Sequence, residues 1–186
     1  TSVKVGKGTI VLKEGDIKEQ ETDAVVNAAN SGLMGGGGVD GAIHAAGGPR
    51  ILEECVQIVK RIGRLSPGQA VLTTAGDMPS KFVIHTVGPI WRGGTKGEDQ
   101  ILANCYTNSL KRAREKGLSS ISFPSISTGA YGYPLDLAAK VALKAVKEFL
   151  EGNDGIEEVF FVLWGRDSFD AYDKALSALF KPKKGK

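Results

Sequence analysis

The sequence predicts an α/β fold, a three-layer α/β/α sandwich around a central mixed, largely parallel sheet. Short β-branched runs alternate with longer helical stripes along nearly the whole chain, as expected when helices cover both faces of a sheet. Two glycine-containing loops follow predicted strands, where open α/β sheets place their ligands. No repeat or low-complexity linker interrupts the alternation, so one domain over residues 1–180 is expected, with a short tail at 181–186.

Apolar alternation in Thr9-Ile10-Val11-Leu12-Lys13 predicts the first strand, and Ala24-Val25-Val26, preceded by Asp23, the second. After a glycine run, residues 39–46 read as a short helix. A longer one starts at Pro49, carries Ile51, Leu52, Cys55, Ile58, Val59 and Ile62 at helical spacing, and stops at Gly63. Residues 70–74 and 82–87 read as strands, separated by Gly76 and Pro79, and the second is closed by Gly88-Pro89. A glycine- and lysine-rich loop at 90–97 leads into a helix over 99–116, closed by Gly117. Ile121-Ser122-Phe123 returns to strand and enters the loop 124–133. Pro134 opens an amphipathic helix that ends near Gly152. A last strand over 158–164 precedes a helix capped by Asp167 or Ser168, with Phe169, Tyr172, Leu176 and Leu179 on one face.

Composition narrows the chemistry. With 41% hydrophobic and 24% charged residues, the chain resembles an average globular protein. No apolar stretch approaches the roughly 20 residues of a membrane helix, and the first residues lack the pattern of a secretory leader, so no membrane contact and a cytoplasmic location are expected. Cys55 and Cys105 fall in predicted helices with no Cys-x-x-Cys pair, which disfavours a disulfide framework or zinc ribbon. Two histidines, His44 and His85, do not build a histidine cage, and no metal is expected. The net charge of +3 owes much to Lys181-Pro182-Lys183-Lys184-Gly185-Lys186. That tail is expected to be solvated, with at most weak attraction to nucleic-acid phosphates. A monomer is the expected state.

The glycine run Gly35-Gly36-Gly37-Gly38, followed by Val39-Asp40-Gly41, has two readings. It is either a flexible connection or a place where bare backbone approaches an anion at a helix N-terminus. Ordering four glycines is entropically expensive, which favours the second. Gly36-x-Gly38-x-x-Gly41 formally matches the dinucleotide fingerprint, but about eight residues separate Asn27 from Gly35, and Glu53 and Glu54, at the distance of the ribose acid, lie in a helix. No nucleoside-triphosphate phosphate loop occurs, and Ser127 is not in a nucleophile elbow. Asn27 and Asn30, flanking two alanines at a strand end, suit sugar hydroxyls or else satisfy turn backbone. The loop Ser125-Ile126-Ser127-Thr128-Gly129-Ala130-Tyr131-Gly132-Tyr133 is a second anion cradle candidate.

Taken together, Gly15-Asp16-Ile17, Val26-Asn27-Ala28-Ala29-Asn30, the glycine run with Val39-Asp40-Gly41-Ala42-Ile43-His44, Val83-Ile84-His85-Thr86-Val87-Gly88-Pro89 and Phe123-Pro124-Ser125-Ile126-Ser127-Thr128-Gly129-Ala130-Tyr131-Gly132 resemble the macrodomain family, most closely its MacroD-type branch. The resemblance runs from about Gly15 to Leu179. It implies an ADP-ribose cleft in which Asp16, with Ile17 beside it, accepts from the adenine amino group and Trp164 stacks on the base. It further implies that Gly35, Gly36, Gly37, Gly38 and Val39, together with Ser127, Thr128, Gly129, Ala130 and Tyr131, hold the diphosphate and distal ribose. Asn27 and Asn30 belong to the same ligand set, Asn30 binding a distal hydroxyl.

In the branch it resembles, water attacks an ester joining the distal ribose to an acidic side chain or to acetate, without a cofactor, and Asn30 and Asp40 match the residues that turnover requires. A carboxylate in the first turn of a helix sits at the positive end of the macrodipole, so orienting water and ribose is its expected task rather than acting as a strong base. ADP-ribosylated proteins or O-acetyl-ADP-ribose are the expected partners. A non-catalytic ADP-ribose reader would share the same cleft.

Overall fold

A computed structural model describes residues 1–180, so the expectation for the basic tail lies outside the described residues. The strands are β1 (Ser2–Val5), β2 (Gly8–Glu14), β3 (Ala24–Ala29), β4 (Ala70–Thr74), β5 (Phe82–Val87), β6 (Ser120–Phe123) and β7 (Glu158–Leu163). The helices are α1 (Gly38–Gly47), α2 (Pro49–Ile62), α3 (Glu98–Glu115), α4 (Leu135–Gly152) and α5 (Arg166–Leu179), with one 3-10 turn at Ile17–Glu19. None of the described helices is long and apolar enough to cross a membrane.

All seven strands join one sheet in the order β1-β2-β7-β6-β3-β5-β4. The four inner pairings are parallel, and the two outermost, β1 with β2 and β4 with β5, are antiparallel. The predicted sandwich with a mixed, largely parallel sheet is therefore the fold. Strand alternation sorts the core into two layers. Ala24 and Val26 of β3, Ile84 of β5, and Val159, Phe161 and Leu163 of β7 pack with α3, α4 and α5. Their neighbours Val25, Val83, Val87 and Val162 pack with Ile43 of α1 and Ile51, Cys55 and Ile58 of α2.

Three elements depart from the sequence reading, the first being α5, which is capped by Gly165 and begins at Arg166 rather than being capped by Asp167 or Ser168. β1 was not predicted; its four residues hold only Val3 and Val5 as apolar positions, and its pairing with β2 makes it a strand. β3 runs on to Ala29, beyond the apolar run Ala24-Val25-Val26 that marks it in the sequence, because Asn27, Ala28 and Ala29 pair in register with His85, Thr86 and Val87. Asparagine and alanine are poor strand formers, and the ladder overrides that preference.

The topology also opens a crevice. β3 and β6 pair only through Ala24 with Ile121 and Val25 with Ser122, and beyond that they carry no further rungs. Between their carboxyl ends the sheet divides, which is where a doubly wound sheet receives a ligand.

Candidate functional site

A cleft of about 350 Å³ lies at this division, within the range of small-molecule sites. One wall is the loop into α1 and its first turn, residues 36–40; the other is residues 125–127 and 129–131 after β6, with 28–30 and Gly88 between them. The first wall is suited to an anion. Gly37 caps α1 with no side-chain hydrogen bond, so first-turn amides stay free on the cleft side. Gly38 has φ +58°, a conformation that side chains strain to adopt and that turns the loop into the helix.

The second wall is held from beneath by two buried tyrosines. Tyr106 of α3 accepts from Ile126 N at 3.3 Å, and Tyr172 of α5 donates to Ser125 Oγ at 2.9 Å. Burial pushes both phenols above the usual tyrosine range, so they remain donors. Ser127 is 7% exposed with φ +67° and a buried hydroxyl that has no partner among the described residues. Such strain is of order 1–3 kcal/mol and concentrates where a ligand is held. Gly88 permits the arrangement, since a Cβ there would overlap Ser127 Oγ and come within 2.7 Å of Ile126 Cγ2.

Asp40 and Asn30 meet over Gly36. A Cβ built on Gly36 would lie 3.3 Å from Asp40 Oδ2 and 3.4 Å from Asn30 Nδ2, so carboxylate and amide converge on one point of the cleft wall. Asn30 Nδ2 also donates to the Gly35 carbonyl at 3.0 Å, tying the end of β3 to the glycine run. The Asp40 carboxylate is 5% exposed, accepts from Asn27 Nδ2 at 2.8 Å through Oδ1, and has His44 Nε2 at 3.4 Å, one helical turn along α1.

Several expected ligand residues lie elsewhere. Asn27 is fully buried, with its amide behind Asp40 rather than in the cleft, because the extended β3 turns that position toward α1. Ile17 is 6% exposed and packs in the α1–α2 core layer, so its side chain does not reach the cleft. Gly35 and Thr128 border the cleft without lining it; Thr128 Oγ1 instead bonds Ser125 Oγ at 2.8 Å. Asp16 caps the 3-10 turn, accepts from Lys18 N at 3.1 Å and pairs with Lys18 Nζ at 2.7 Å, which leaves part of its acceptor capacity open. Trp164 stands at the end of β7 with 78% of its surface exposed.

These last two neighbour one another, since Gly15 N bonds Leu163 O at 3.1 Å. The strand order β2-β7-β6-β3 thus sets Asp16, Trp164, the 125–131 loop and Asn30 in a row along the carboxyl edge. At about 4.8 Å per strand that row spans roughly 14 Å.

The sequence reading did not single out Gly88 or the two tyrosines as parts of the site and named Ile126 only within the 124–133 loop; Gly88-Pro89 after a strand was the available signal, while Tyr172 read only as a position on the apolar face of the last helix and nothing marked Tyr106. The structure also gathers His44, Cys55 and His85, which offer ligand atoms within 4.8 Å of one another. Both His85 nitrogens are hydrogen-bonded, to Asn27 and Thr73, and burial, with Asp40 and Glu54 adding, pushes the Cys55 thiol up to about 11.

Comparison with known proteins agrees with this geometry. The Macro domain family model matches residues 26–142. A macro domain-containing protein of Caldanaerobacter subterraneus is 53% identical over 175 residues, covering 94% of this chain and 99% of that protein. The O-acetyl-ADP-ribose deacetylase of Escherichia coli is 47% identical over 171 residues, 92% of this chain and 97% of its own length. The Oceanobacillus iheyensis macrodomain, solved with ADP, superposes with a TM-score of 0.94 at 42% identity, over 98% of this chain and 97% of that one. In sequence and in fold, the chain belongs to the macrodomain family.

Proposed function

We propose that this protein binds ADP-ribose along the carboxyl edge of its sheet and hydrolyses the ester joining the distal ribose to acetate or to an acidic protein side chain. The observation that carries the reading is the convergence of Asn30 and Asp40 over Gly36 at one end of an anion-suited cleft. The deacetylase name of the Escherichia coli relative and the ADP in the Oceanobacillus iheyensis structure support the same ligand class.

In this reading the adenine lies between Asp16 and Trp164, the diphosphate on the amides of residues 36–39 and 127–131, and the distal ribose against Asn30. Asp40 orients a water and the ribose. The water oxygen attacks the ester carbonyl, the bond to the ribose oxygen breaks, and that oxygen takes up a proton shared through a substrate phosphate. The products are ADP-ribose and the free carboxylic acid.

The test is release of free ADP-ribose from O-acetyl-ADP-ribose and from glutamate-linked mono-ADP-ribosylated protein. Asn30→Ala and Asp40→Ala are expected to slow release roughly 100-fold or more, the scale of losing a group that handles the reacting water. Binding without release by the parent protein would make it an ADP-ribose reader instead.

A further inference from the structure

Behind Asp40 runs a line of buried polar groups in which the donor and acceptor of every hydrogen bond are determined, the bonds diverging from the Asn27 amide. The Thr74 carbonyl can only accept, so the Thr73 hydroxyl, 3.0 Å away, donates to it. The Thr73 oxygen is then the acceptor for His85 Nε2 at 2.8 Å, which places the imidazole proton on Nε2. A neutral imidazole has one N–H, so His85 Nδ1 is a lone pair and accepts from Asn27 Nδ2 at 3.0 Å. The second hydrogen of that amide goes to Asp40 Oδ1 at 2.8 Å.

Thr73, His85 and Asn27 each have 0% exposure, on a sheet face otherwise lined by Val25, Val83 and Val87. Three polar side chains in such a layer lower stability unless every donor is used, and here every donor is. Turning the Asn27 amide over would set its oxygen against both the imidazole lone pair and the carboxylate, so its orientation is determined by the network. The buried Asn27 Oδ1 has no partner among the described residues, which is the consequence of aiming the amide nitrogen at both acceptors. Burial keeps the imidazole neutral, with its pKa lowered to about 3.

We propose that Thr73, His85 and Asn27 are positioning residues, a hydrogen-bond relay across β4, β5 and β3 that fixes the Asn27 amide as a donor to both His85 and Asp40 and thereby holds the Asp40 carboxylate in its working orientation. The proposal rests on the reading that Asp40 serves ester hydrolysis. It assigns to the β3-β5-β4 side of the sheet a part in the reaction that the cleft-lining residues do not reveal.

Two measurements on the full chain test it. Nitrogen-15 NMR of the histidine side chains at pH 7 is expected to show His85 neutral with its proton on Nε2; a proton on Nδ1, or a charged ring, overturns the relay. In steady-state hydrolysis of O-acetyl-ADP-ribose, His85→Phe is expected to lower kcat roughly tenfold with KM nearly unchanged, the signature of lost transition-state positioning. His85→Gln, whose amide restores an acceptor and a donor, is expected to recover part of that loss. Thr73→Val keeps the volume, guards against a His85 variant that does not fold, and is expected to mix the imidazole tautomers and lower kcat severalfold. Unchanged kcat in Thr73→Val and in folded His85→Phe overturns the proposal. If the parent protein hydrolyses nothing, the enzyme reading fails separately, and the imidazole signal alone decides whether the relay exists.

Discussion

Trp91 donates its backbone N–H to the Tyr131 carbonyl at 2.8 Å, joining the loop before α3 to the cleft wall after β6. The rings of Trp91 and Tyr133 pack beside that bond in a tilted pair, 4.6 Å between centroids and 50° between planes. One side chain organises the Trp91 loop. The Glu98 carboxylate accepts from the backbone N–H groups of Arg92 and Gly94, each at 2.9 Å, and of Lys96. Burial alone would push the Glu98 carboxyl up, and these donors together outweigh it and bring it down to about 2.

Glu98→Ala is therefore expected to release the 90–97 loop and, through Trp91, the Tyr131 side of the cleft. The melting temperature should fall by several degrees and ADP-ribose binding should weaken severalfold, measured by thermal scanning and titration calorimetry. Unchanged affinity in a destabilised variant would show that the loop does not support the cleft.

The exposed indole of Trp164 gives a cleaner separation. At 78% exposure it contributes little to the core, so Trp164→Ala should change stability by no more than about 0.5 kcal/mol. Loss of base stacking of about 1–3 kcal/mol would raise the Kd for ADP-ribose roughly 5- to 150-fold. Ribose 5-phosphate, which has no base, should bind both proteins alike; equal loss for both ligands would argue against adenine stacking.

His85 predicts a pH dependence of stability. Its folded pKa of about 3 lies below the usual histidine value of 6.5 through burial first and the nearby His44 second. The unfolded chain therefore binds a proton that the folded one refuses. Stability is therefore fully present above pH about 6.5 and declines as pH falls toward 3, by about 1.4 kcal/mol per pH unit. The groups facing the ring are Asn27 from β3, Thr73 from β4, Cys55 from α2, His44 of α1 with its ring centroid 6.1 Å away and, through Asn27, Asp40 of α1. His85→Gln should lack this slope between pH 6 and 4 in denaturant titrations, relative to the parent. Parallel slopes would mean that the buried ring is not the group being protonated.

Much of this protein is legible in its residues because the deciding interactions are local. Periodicity marks the helices, since an apolar stripe must face the sheet whichever way the chain later turns. The glycines before α1 announce a backbone approach, because no other residue type offers bare amides at that density. Asn30 is a candidate for a similar reason, standing at a strand end beside those glycines, whereas Asp40 is picked out by the macrodomain resemblance.

What periodicity could not decide is the direction of each side chain at an element's end. Asn27 and Asn30 are chemically the same and three residues apart, yet one is sealed behind the carboxylate and the other lines the cleft. That outcome depends on β3 continuing to Ala29, which only its register with β5 enforces. Ile17, next to Asp16 in one motif, is likewise claimed by the core.

By itself, then, the sequence determined the layers, the loops at the strand ends and the residue types available for an ADP-ribose cleft. Only the tertiary structure decided which of them face a ligand, that β3 and β6 part to make room, and that Thr73, His85 and Asn27 align behind Asp40. Helical stripes and turn residues act over a few positions, whereas strand register and buried hydrogen bonds join residues dozens of positions apart, and those partners exist only once the sheet has formed.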